Sequence, residues 1–397
     1  MKEGWTYKKL GEVCEIFNGN SINADFKKKH FFGATGGLPF IATKDVSTNG
    51  SIDYDNGVRI PNYDEYKVAP ANSVFVCAEG GSAGKKFAFV EQDVCFGNKL
   101  FCLNPKHNSL VGKYIYYFVQ SDVFKDQFYA LLSGLIGGVS AKKFQQIEIP
   151  VSSIDEQHSI VSRLDAAFAH VDSLKANAEK QLAEARQLFQ AELAECMRQK
   201  EGWEEKKMSD FFEITSSKRV FQKDWTTSGI PFYRAREIVK INKQGFVDNE
   251  LFITEEMYEE YKKKYGVPQI GDILITGVGT LGVCYVIKDS KKFYYKDGNI
   301  IWLKKKSSIN SDFVTYQYLC PSIKKQIYKT EGATVGTYTI TNANDTKILV
   351  PSIETQNQIV SRLDALSANI KKLEEVQRKT LAECDALKQA MLREVFQ

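Results

Sequence analysis

Two glycine-rich segments have residue spacings that could bind the phosphates of a nucleotide. Gly277–Gly282 fits the turn of dinucleotide-binding folds, whose backbone amides hold a pyrophosphate at a helix N-terminus. It is followed by Val-Cys-Tyr-Val-Ile, which is typical of a strand and not of a helix. Glu79–Lys86 resembles a phosphate-binding loop, but its glycines are one residue too close and Lys86 replaces the required Ser or Thr. We therefore interpret both segments as β-hairpin turns.

The sequence contains no recognisable catalytic motif. It lacks the Asn/Asp-Pro-Pro-Tyr/Phe motif of amino-methyltransferases, and it has no HExxH, no GxSxG and no clear nuclease pattern. The eight cysteines form no CxxC pair and the four histidines do not cluster, so no metal site is expected. Scattered thiols of this kind favour a reducing, cytoplasmic setting. A Ser or Cys paired with a His in the fold stays open from sequence alone.

Basic residues occur in short clusters, several of them in turns rich in Gly, Asn, Ser and Tyr. Residues 1–150 carry a net charge of +2 and residues 201–350 carry +4, so the whole positive excess lies in these two segments. Lys and Arg in such turns favour phosphate contacts, and neighbouring polar groups can contact base edges. An ordinary solvated surface is the alternative for each cluster, and it suits Lys262–Lys264, which share a helix with acidic residues.

The chain consists of two copies of one sequence unit. Gly4-Trp5 recurs as Gly202-Trp203, and the heptapeptide from Ile160 to Ala166 recurs unchanged from Ile359 to Ala365. These offsets of 198 and 199 residues are half of the 397-residue chain. An unchanged heptapeptide at that offset indicates a duplicated domain arrangement.

Each copy ends in a long segment that contains neither Gly nor Pro. Residues 151–201 and 352–397 follow Pro150 and Pro351, at positions where a proline can precede a helix. Apolar residues recur in both segments at spacings of four and three, which predicts a coiled coil. The alternative is a single amphipathic helix packed on its own domain. The predicted seam contains Ile160, Leu164, Val171, Leu174, Leu188, Ile359, Leu363, Leu366, Ile370, Leu373 and Leu387.

The glycine-containing segments combine strand and helix patterns, so we expect α/β or α+β heads. Short strands are predicted around residues 73–77 and 272–276, and a helix is predicted over Asp312–Lys329. Because the second long helix must return towards the first head, the coiled coil is expected to be antiparallel, about 60 Å long. The predicted domains are 1–150, a helical spacer at 151–201, a second head at 202–350 and a second helix at 351–397.

This duplicated order resembles the specificity subunit of type I restriction–modification enzymes. The resemblance covers the whole chain and rests on the Gly-Trp openings, the Pro-…-Gln-…-Ile-Val-…-Leu helix starts and the Gly-Asp-Ile-Leu-Ile-Thr strand at 271–276. It implies two target recognition domains, each reading half of a bipartite double-stranded DNA site, and a coiled coil that sets the gap.

The resemblance also implies the partners and cofactors. Two adenine-methyltransferase subunits would dock on the specificity subunit, and motor and nuclease subunits could join them in a cytoplasmic system of phage defence. S-adenosylmethionine, ATP and Mg would belong to those partners, and this chain would hold no cofactor. No apolar run has the ~18–20 residues that a membrane helix needs.

By position in the family pattern, the DNA-facing loops are expected around 18–22, 80–86 and 139–143 in the first head, and around 216–219, 234–236 and 335–338 in the second. We expect Lys44 to occupy the position in the first head that Arg234–Arg236 occupy in the second. We likewise expect Gly138–Ser140 to correspond to Gly336–Tyr338. The residues expected at DNA are Asn20, Ser21, Lys27, Lys28, Lys44, Lys85, Lys86, Ser140, Lys142, Lys143, Ser217, Lys218, Arg219, Arg234, Arg236, Thr280, Thr337 and Tyr338.

Two other classes of function remain compatible with the sequence. One is a coiled-coil scaffold or DNA-binding protein outside restriction–modification. The other is a DNA methyltransferase or nuclease whose catalytic residues follow no familiar motif, and which would show turnover as a purified chain.

Overall fold

The computed structural model describes residues 4–106, 109–132, 138–328 and 336–397. The chain divides into two compact units, and both boundaries lie inside long helices. Unit 1 comprises Met1–Glu179 together with Gln377–Gln397, and unit 2 comprises Lys180–Val376. Each unit therefore contains one head and parts of both long helices.

Unit 1 contains three small sheets. Its strands are β1 Thr6–Lys9, β2 Cys14–Asn18, β3 Leu38–Ile41, β4 Arg59–Ile60, β5 Val68–Ala69, β6 Val74–Cys77, β7 Phe87–Phe89, β8 Val94–Phe96, β9 Leu100–Pro105 and β10 Glu148–Val151. Its helices are α1 Leu10–Val13, α2 Ala24–His30, α3 Gly112–Gln120, α4 Asp122–Ala130, α5 Ala141–Phe144 and the first part of α6 Ile154–Cys196. The sheets have the strand orders β2-β9-β6-β7, β4-β3-β8-β5 and β1-β10.

Unit 2 repeats this arrangement. Its strands are β11 Glu204–Lys207, β12 Phe212–Thr215, β13 Ile230–Tyr233, β14 Phe252–Ile253, β15 Ile273–Thr276, β16 Cys284–Val286, β17 Tyr294–Tyr295, β18 Ile300–Lys305 and β19 Lys347–Val350. Its helices are α7 Met208–Phe211, α8 Ala235–Gln244, α9 Glu255–Tyr265, α10 Ser311–Tyr318, α11 Pro321–Ile327 and α12 Ile340–Asp345, together with residues 180–196 of α6 and residues 353–376 of α13 Ile353–Phe396. The orders β12-β18-β15-β16, β14-β13-β17 and β11-β19 match unit 1, except that β5 has no counterpart among the described residues. The mixed fold and its duplication are confirmed.

The glycine-rich segment at 277–282 is a hairpin turn, as predicted. It joins β15 to β16, which pair antiparallel. A Cβ atom on Gly277 would lie 2.6 Å from the carbonyl oxygen of Tyr338, so a larger residue cannot occupy this position unless the backbone moves. Gly279 and Gly282 adopt φ angles of +77° and +74°, which favour glycine. The approach of the Tyr338 carbonyl therefore explains Gly277, and the turn conformation explains Gly279 and Gly282.

The helix predicted over Asp312–Lys329 is wrong in one respect, because it is two helices. α10 ends at Tyr318 and α11 begins at Pro321, which occupies the first helical turn. Proline lacks the N–H that would continue α10, and its ring would clash with the preceding turn. Lys329 lies outside the described residues.

The repeated heptapeptide joins each long helix to its head. In unit 1, Ile160 and Leu164 are buried, and Asp165 accepts a hydrogen bond of 2.5 Å from the hydroxyl of Tyr117 on α3. In unit 2, Asp364 accepts the same bond from Tyr316 on α10, also at 2.5 Å. The apolar positions fill the core and the aspartate joins the long helix to a helix of its head, which accounts for both kinds of repeated residue.

A buried glutamine provides a second repeated anchor. The Gln157 carbonyl oxygen accepts the Val111 N–H at 2.9 Å, and its amide donates to the Ser152 carbonyl at 2.9 Å. Gln356 likewise accepts the Asn310 N–H at 2.9 Å and donates to the Pro351 carbonyl at 3.0 Å. Each glutamine satisfies backbone groups at the starts of two helices, so a buried polar residue is stabilising here.

In unit 1 the two long helices pair antiparallel. Asp172 lies 2.5 Å from Lys388, and Lys175 pairs with Asp385. Residue numbers rise along α6 while those of the partners on α13 fall, so the two helices run antiparallel. The end of α13 enters the unit 1 core, where the Phe396 ring lies 5.2 Å from Tyr114 and 5.5 Å from Phe118, centroid to centroid.

The helix pairing in unit 2 is also antiparallel. Arg186 lies 2.8 Å from Glu374, and Arg362 pairs with Glu192. The end of α6 and the residue that follows it complete this core. Leu193, Cys196 and Met197 are buried there in a cluster that includes Phe313.

The seam prediction is wrong at three leucines. Leu174, Leu188 and Leu387 are 42%, 58% and 45% exposed. An α-helix has about 3.6 residues per turn, whereas the heptad spacing used for the prediction assumes 3.5, a drift of about 20° per heptad. Seven residues fall about 20° short of two full turns, and this shortfall accumulates, so the inward positions move one residue along the chain. The remaining predicted seam residues are buried or half-buried: Ile160, Leu164, Val171, Ile359, Leu363, Leu366, Ile370 and Leu373.

Replacing Gln157 with Ala should lower the free energy of unfolding by about 1–3 kcal/mol, because the Val111 N–H then loses its acceptor in a buried position. Gln187→Ala, at an exposed position of the same helix, is the matched control and should change little. Urea unfolding followed by circular dichroism measures both. Equal unfolding midpoints for the two variants would contradict the anchoring role.

Candidate nucleic-acid interface

In unit 2, several predicted DNA-facing loops leave one edge of the four-stranded sheet. β12 and β15 both run antiparallel to β18, with Thr215 opposite Trp302 and Thr276 opposite Ile300. The ends of β12 and β15 therefore meet the beginning of β18. The Lys296 N–H donates to the Tyr233 carbonyl at 2.8 Å, which brings the end of β13 to the same place. We call the loops at this position the loop edge of unit 2: 216–219, 234–236, 277–280 and 296–299.

The three candidates that follow β12 differ in how much of each side chain is available. The Ser217 hydroxyl donates to the Tyr295 carbonyl at 2.7 Å, so it already has an acceptor. The Lys218 ammonium lies 5.6 Å from the centroid of the Tyr265 ring. Arg219 contacts Asp297 at 2.8 Å, yet its side chain is 65% exposed. Lys218 and Arg219 are both exposed, so these two side chains are more available to a ligand than Ser217.

Arg234 and Arg236 hold the start of α8. Arg234 contacts Glu237 at 2.9 Å and its side chain is only 23% exposed, while Arg236 contacts Glu237 at 2.6 Å and also pairs with Glu250. Burial raises the pKa of Glu237, but hydrogen bonds from the two arginines outweigh it and leave that pKa below its ordinary value. Both arginines thus stabilise the fold, and any DNA contact would have to compete with these ion pairs.

The prediction that Tyr338 contacts DNA is wrong. It is 2% exposed, and its hydroxyl lies 3.0 Å from that of Tyr318 and 2.6 Å from Oγ1 of Thr346. Its aromatic ring belongs to the core because the chain turns inward there. Thr337 is half-buried beside the hairpin turn, whereas Thr280 at the tip of that turn is exposed. Val335, at the start of the predicted loop, lies outside the described residues.

Unit 1 has an equivalent edge, which we call the loop edge of unit 1: residues 18–21, 42–45, 78–86, 97–99 and 138–143. The Asn20 N–H donates to the Phe96 carbonyl at 2.8 Å, and Lys86 Nζ donates to the Thr43 carbonyl at 2.9 Å. The Val139 N–H donates to the Ala78 carbonyl at 3.1 Å. These bonds bring together predicted loops that are far apart in the sequence.

Exposure separates the candidates of unit 1. Lys44 contacts Asp45 at 2.7 Å but its side chain remains 73% exposed. Ser140 caps α5, accepting the Lys143 N–H at 3.4 Å. Lys27 places its ammonium 4.7 Å from the Phe40 ring centroid, on the two-turn helix α2, and no described contact joins it to the loop edge. The other candidates of unit 1 are exposed, apart from half-buried Asn20 and Lys86: Ser21, Lys28, Lys85, Lys142 and Lys143.

The correspondence between the two heads differs from the one expected. The Asp45 carboxylate accepts the Ala42 N–H at 2.9 Å, as Glu237 accepts the Arg234 N–H at 2.9 Å. Lys44 therefore corresponds to Arg236, and Ala42 stands in the place of Arg234.

The expected alignment of Gly138–Ser140 with Gly336–Tyr338 is displaced by one residue. The Tyr338 N–H donates to the Gly277 carbonyl at 2.9 Å, which is the bond that Val139 makes to Ala78. Val139 thus corresponds to Tyr338 and Ser140 to Thr339, which caps α12 as Ser140 caps α5. The shared backbone bonds, and not the glycines, fix this alignment.

Two basic residues of the loop edges were missed by the sequence analysis. Lys99 is exposed in the turn before β9, and its carbonyl accepts the Ala78 N–H at 3.0 Å. Lys296 is half-buried in the turn before β18. Their neighbours Gly97-Asn98 and Asp297-Gly298 are turn signals, which could have placed both lysines at strand ends.

The described residues offer little support for other chemistry. No cluster of His, Cys, Asp or Glu within them could hold a metal ion. All eight cysteines are buried, and burial raises the pKa of Cys95 and of Cys320 to about 11, so these thiols stay protonated near neutral pH. Over the same ranges, no helix combines the length and apolarity needed to cross a bilayer.

Comparison with known proteins identifies the family. A family model for the type I restriction modification DNA specificity domain matches residues 2–184 and matches again over residues 200–383. The chain belongs to this family. The predicted resemblance is thus confirmed, and the chain is a specificity subunit with two target recognition domains.

Individual relatives agree over nearly the whole length. A putative type I restriction enzyme specificity subunit of Haemophilus influenzae is 28% identical over 378 residues, which cover 90% of this chain and 86% of the relative. The EcoKI specificity subunit of Escherichia coli K12 is 24% identical over 426 residues, covering 100% and 89%.

Solved structures agree on the fold. One, from a study of complex assembly and conformational transition of the type I R-M system, matches with a TM-score of 0.76 at 19% identity, covering 100% of this chain and 98% of the other. The HsdS subunit of Thermoanaerobacter tengcongensis matches with a TM-score of 0.56 at 19% identity, covering 100% and 97%.

Replacing Glu237 with Gln should lower the free energy of unfolding at pH 7 by about 1–3 kcal/mol, since it removes the charge that accepts bonds from two arginines. The folded-state pKa of Glu237 is below its ordinary value of 4.5, so its stabilising effect is present above that pH and is lost as the pH falls through the folded-state pKa. The difference in the free energy of unfolding between wild type and variant should therefore shrink as the pH falls.

Urea unfolding between pH 7 and about pH 3 tests this dependence. Glu256→Gln, an exposed acid on α9, is the control and should follow wild type throughout. If the loss of unfolding free energy in Glu237→Gln stayed constant across this pH range, it would contradict an effect of the carboxylate charge.

Proposed function

We propose that each loop edge reads one half of a bipartite double-stranded DNA site, with residues 1–150 and 202–350 as the two target recognition domains. The observation that carries the proposal is the shared strand order, which brings equivalent loops together in both units. Exposed cations lie on each edge, including Lys44 and Lys99 in unit 1 and Arg219 in unit 2. Cations of this kind bind phosphates, and nearby Asn, Ser and Thr groups can contact base edges.

The two heads are expected to read different half-sites. Their backbones align, but the exposed groups on them do not. Glu79 stands in the turn of unit 1 where Val278 stands in unit 2, since each forms the equivalent bridge to the following loop. A carboxylate can accept a hydrogen bond from cytosine, whereas valine offers only an apolar surface.

We infer that methyl transfer and cleavage belong to partner subunits, and that this chain is not catalytic. S-adenosylmethionine, ATP and Mg would bind those partners, in the cytoplasm, as part of phage defence. Two methyltransferase subunits would dock on the helix pair, and motor and nuclease subunits would join them. The repeat supports two equivalent docking places, because Ser162-Arg163 and Ser361-Arg362 are identical yet exposed on the long helices. The paired helices would also set the gap between half-sites.

Photo-crosslinking can assign each edge to its half-site. The complex of this chain with its methyltransferase subunits would be bound to DNA that carries the motif found methylated in its host. With p-benzoylphenylalanine in place of Lys99 or of Arg219, we expect crosslinks to opposite halves of the motif. The same substitution at Lys305, at the other end of β18, is the control and should give no crosslink.

Crosslinks of Lys99 and Arg219 variants to the same half would contradict the assignment of one half-site to each head. Efficient crosslinking from position 305 alone would place DNA at the opposite end of the sheet and would refute the loop edge as the reading surface.

A further inference from the structure

Helix α8 of unit 2 carries a basic face that the sequence analysis did not identify. Its inward side consists of Glu237, Ile238 and Ile241, all buried. Arg236, Lys240 and Lys243 follow at spacings of four and three, so they share one face of the helix, away from the buried side.

The two lysines of this face are available to a ligand. Arg236 is engaged with Glu237 and Glu250, but no ion pair involves Lys240 or Lys243 within the part of the chain that the structure describes. Both lysines are exposed. From Arg236 to Lys243 there are seven steps of about 1.5 Å, a rise of about 10 Å along the helix. This length matches roughly three base pairs of a DNA duplex, so successive phosphates could be contacted.

The helix is held firmly enough to present these charges in a fixed position. Its first turn is capped by the Glu237 carboxylate, which accepts the Arg234 N–H at 2.9 Å. Asn242 donates from its side chain to the Cys284 carbonyl at 2.9 Å, which joins the helix to β16. Gly245 ends it with a φ of +80°, and Phe246 follows with 67% of its surface exposed.

The position of α8 connects this face to the loop edge of unit 2. The helix follows β13 directly, and the Tyr233 carbonyl at the end of that strand accepts the Lys296 N–H of the loop edge. In unit 1 the equivalent strand β3 is followed only by a single 3-10 turn at Thr43–Asp45, which contributes Lys44. The basic helix is therefore a difference between two otherwise matching heads.

We propose that Lys240, Lys243 and Phe246 form an additional DNA contact that unit 2 makes and unit 1 does not. The lysines contact phosphates flanking the half-site of unit 2, and Phe246 contacts a base edge or a thymine methyl group. This inference rests on the proposed function, because it extends the reading surface of the same head.

The test measures the affinity of the complex with its methyltransferase subunits for its own DNA site over a series of salt concentrations. Replacing both lysines with Ala should reduce the slope of log affinity against log salt by about 2, since each phosphate contact contributes about 0.9. The preferred sequence should not change. Lys305→Ala with Lys306→Ala removes two exposed charges from the opposite end of β18 and is the matched control, expected to keep the wild-type slope.

Two further variants test the separate contributions. One keeps the positive charges of the two lysines, and the other removes only the aromatic ring of Phe246. Lys240→Arg with Lys243→Arg should keep the wild-type slope, which would show that the loss in the Ala variant is electrostatic. Phe246→Ala should relax the preference in the half-site of unit 2 only.

An unchanged slope in the double Ala variant, with site-specific binding retained, would overturn this inference and leave the proposed function standing. A wild-type complex that shows no preference for its site would overturn the proposed function, and this inference with it.

Discussion

Each head is completed by helical residues from the other sequence copy, and the rest of the structure depends on this exchange. The end of α13 places Phe396 against Tyr114 and Phe118 in unit 1, while Leu193 near the end of α6 and Met197 just after it join Phe313 in unit 2. Burying large apolar side chains is the dominant favourable contribution to folding. Each core therefore contains residues of both sequence copies, which the antiparallel pairing of the long helices brings together.

The loop edges follow from this framework because rigid strands determine where the loops begin. The same backbone bonds recur in both heads, from Val139 to Ala78 and from Tyr338 to Gly277. Ion pairs then fix parts of each edge, as at Glu237, and leave other cations exposed. A surface built in this way keeps one geometry while its exposed residues vary, which supports the proposal that the two loop edges read different half-sites.

The sequence predicted the architecture well because duplication and the absence of Gly and Pro act over long stretches. It placed hairpins at the glycine turns and long helices after Pro150 and Pro351, as the structure has them. It failed where a single residue of register decides the outcome. Leu174 is exposed because a helix turns every 3.6 residues and not every 3.5. Tyr338 is buried because backbone pairing, which composition does not reveal, turns its aromatic ring inward.

The most direct test of this account uses a variant in which one segment is deleted from each long helix. The two deleted segments face each other, so the helix pair becomes shorter. The Lys175–Asp385 and Asp172–Lys388 pairs show that residues 173–179 face residues 381–387. Deleting both segments removes about 10 Å of helix, or roughly three base pairs of DNA. Methylation mapped across the genome of cells carrying this variant should show both half-sites unchanged and the gap between them shortened by a few base pairs. Retained methylation with an unchanged gap would contradict the role of the helix pair as the spacer.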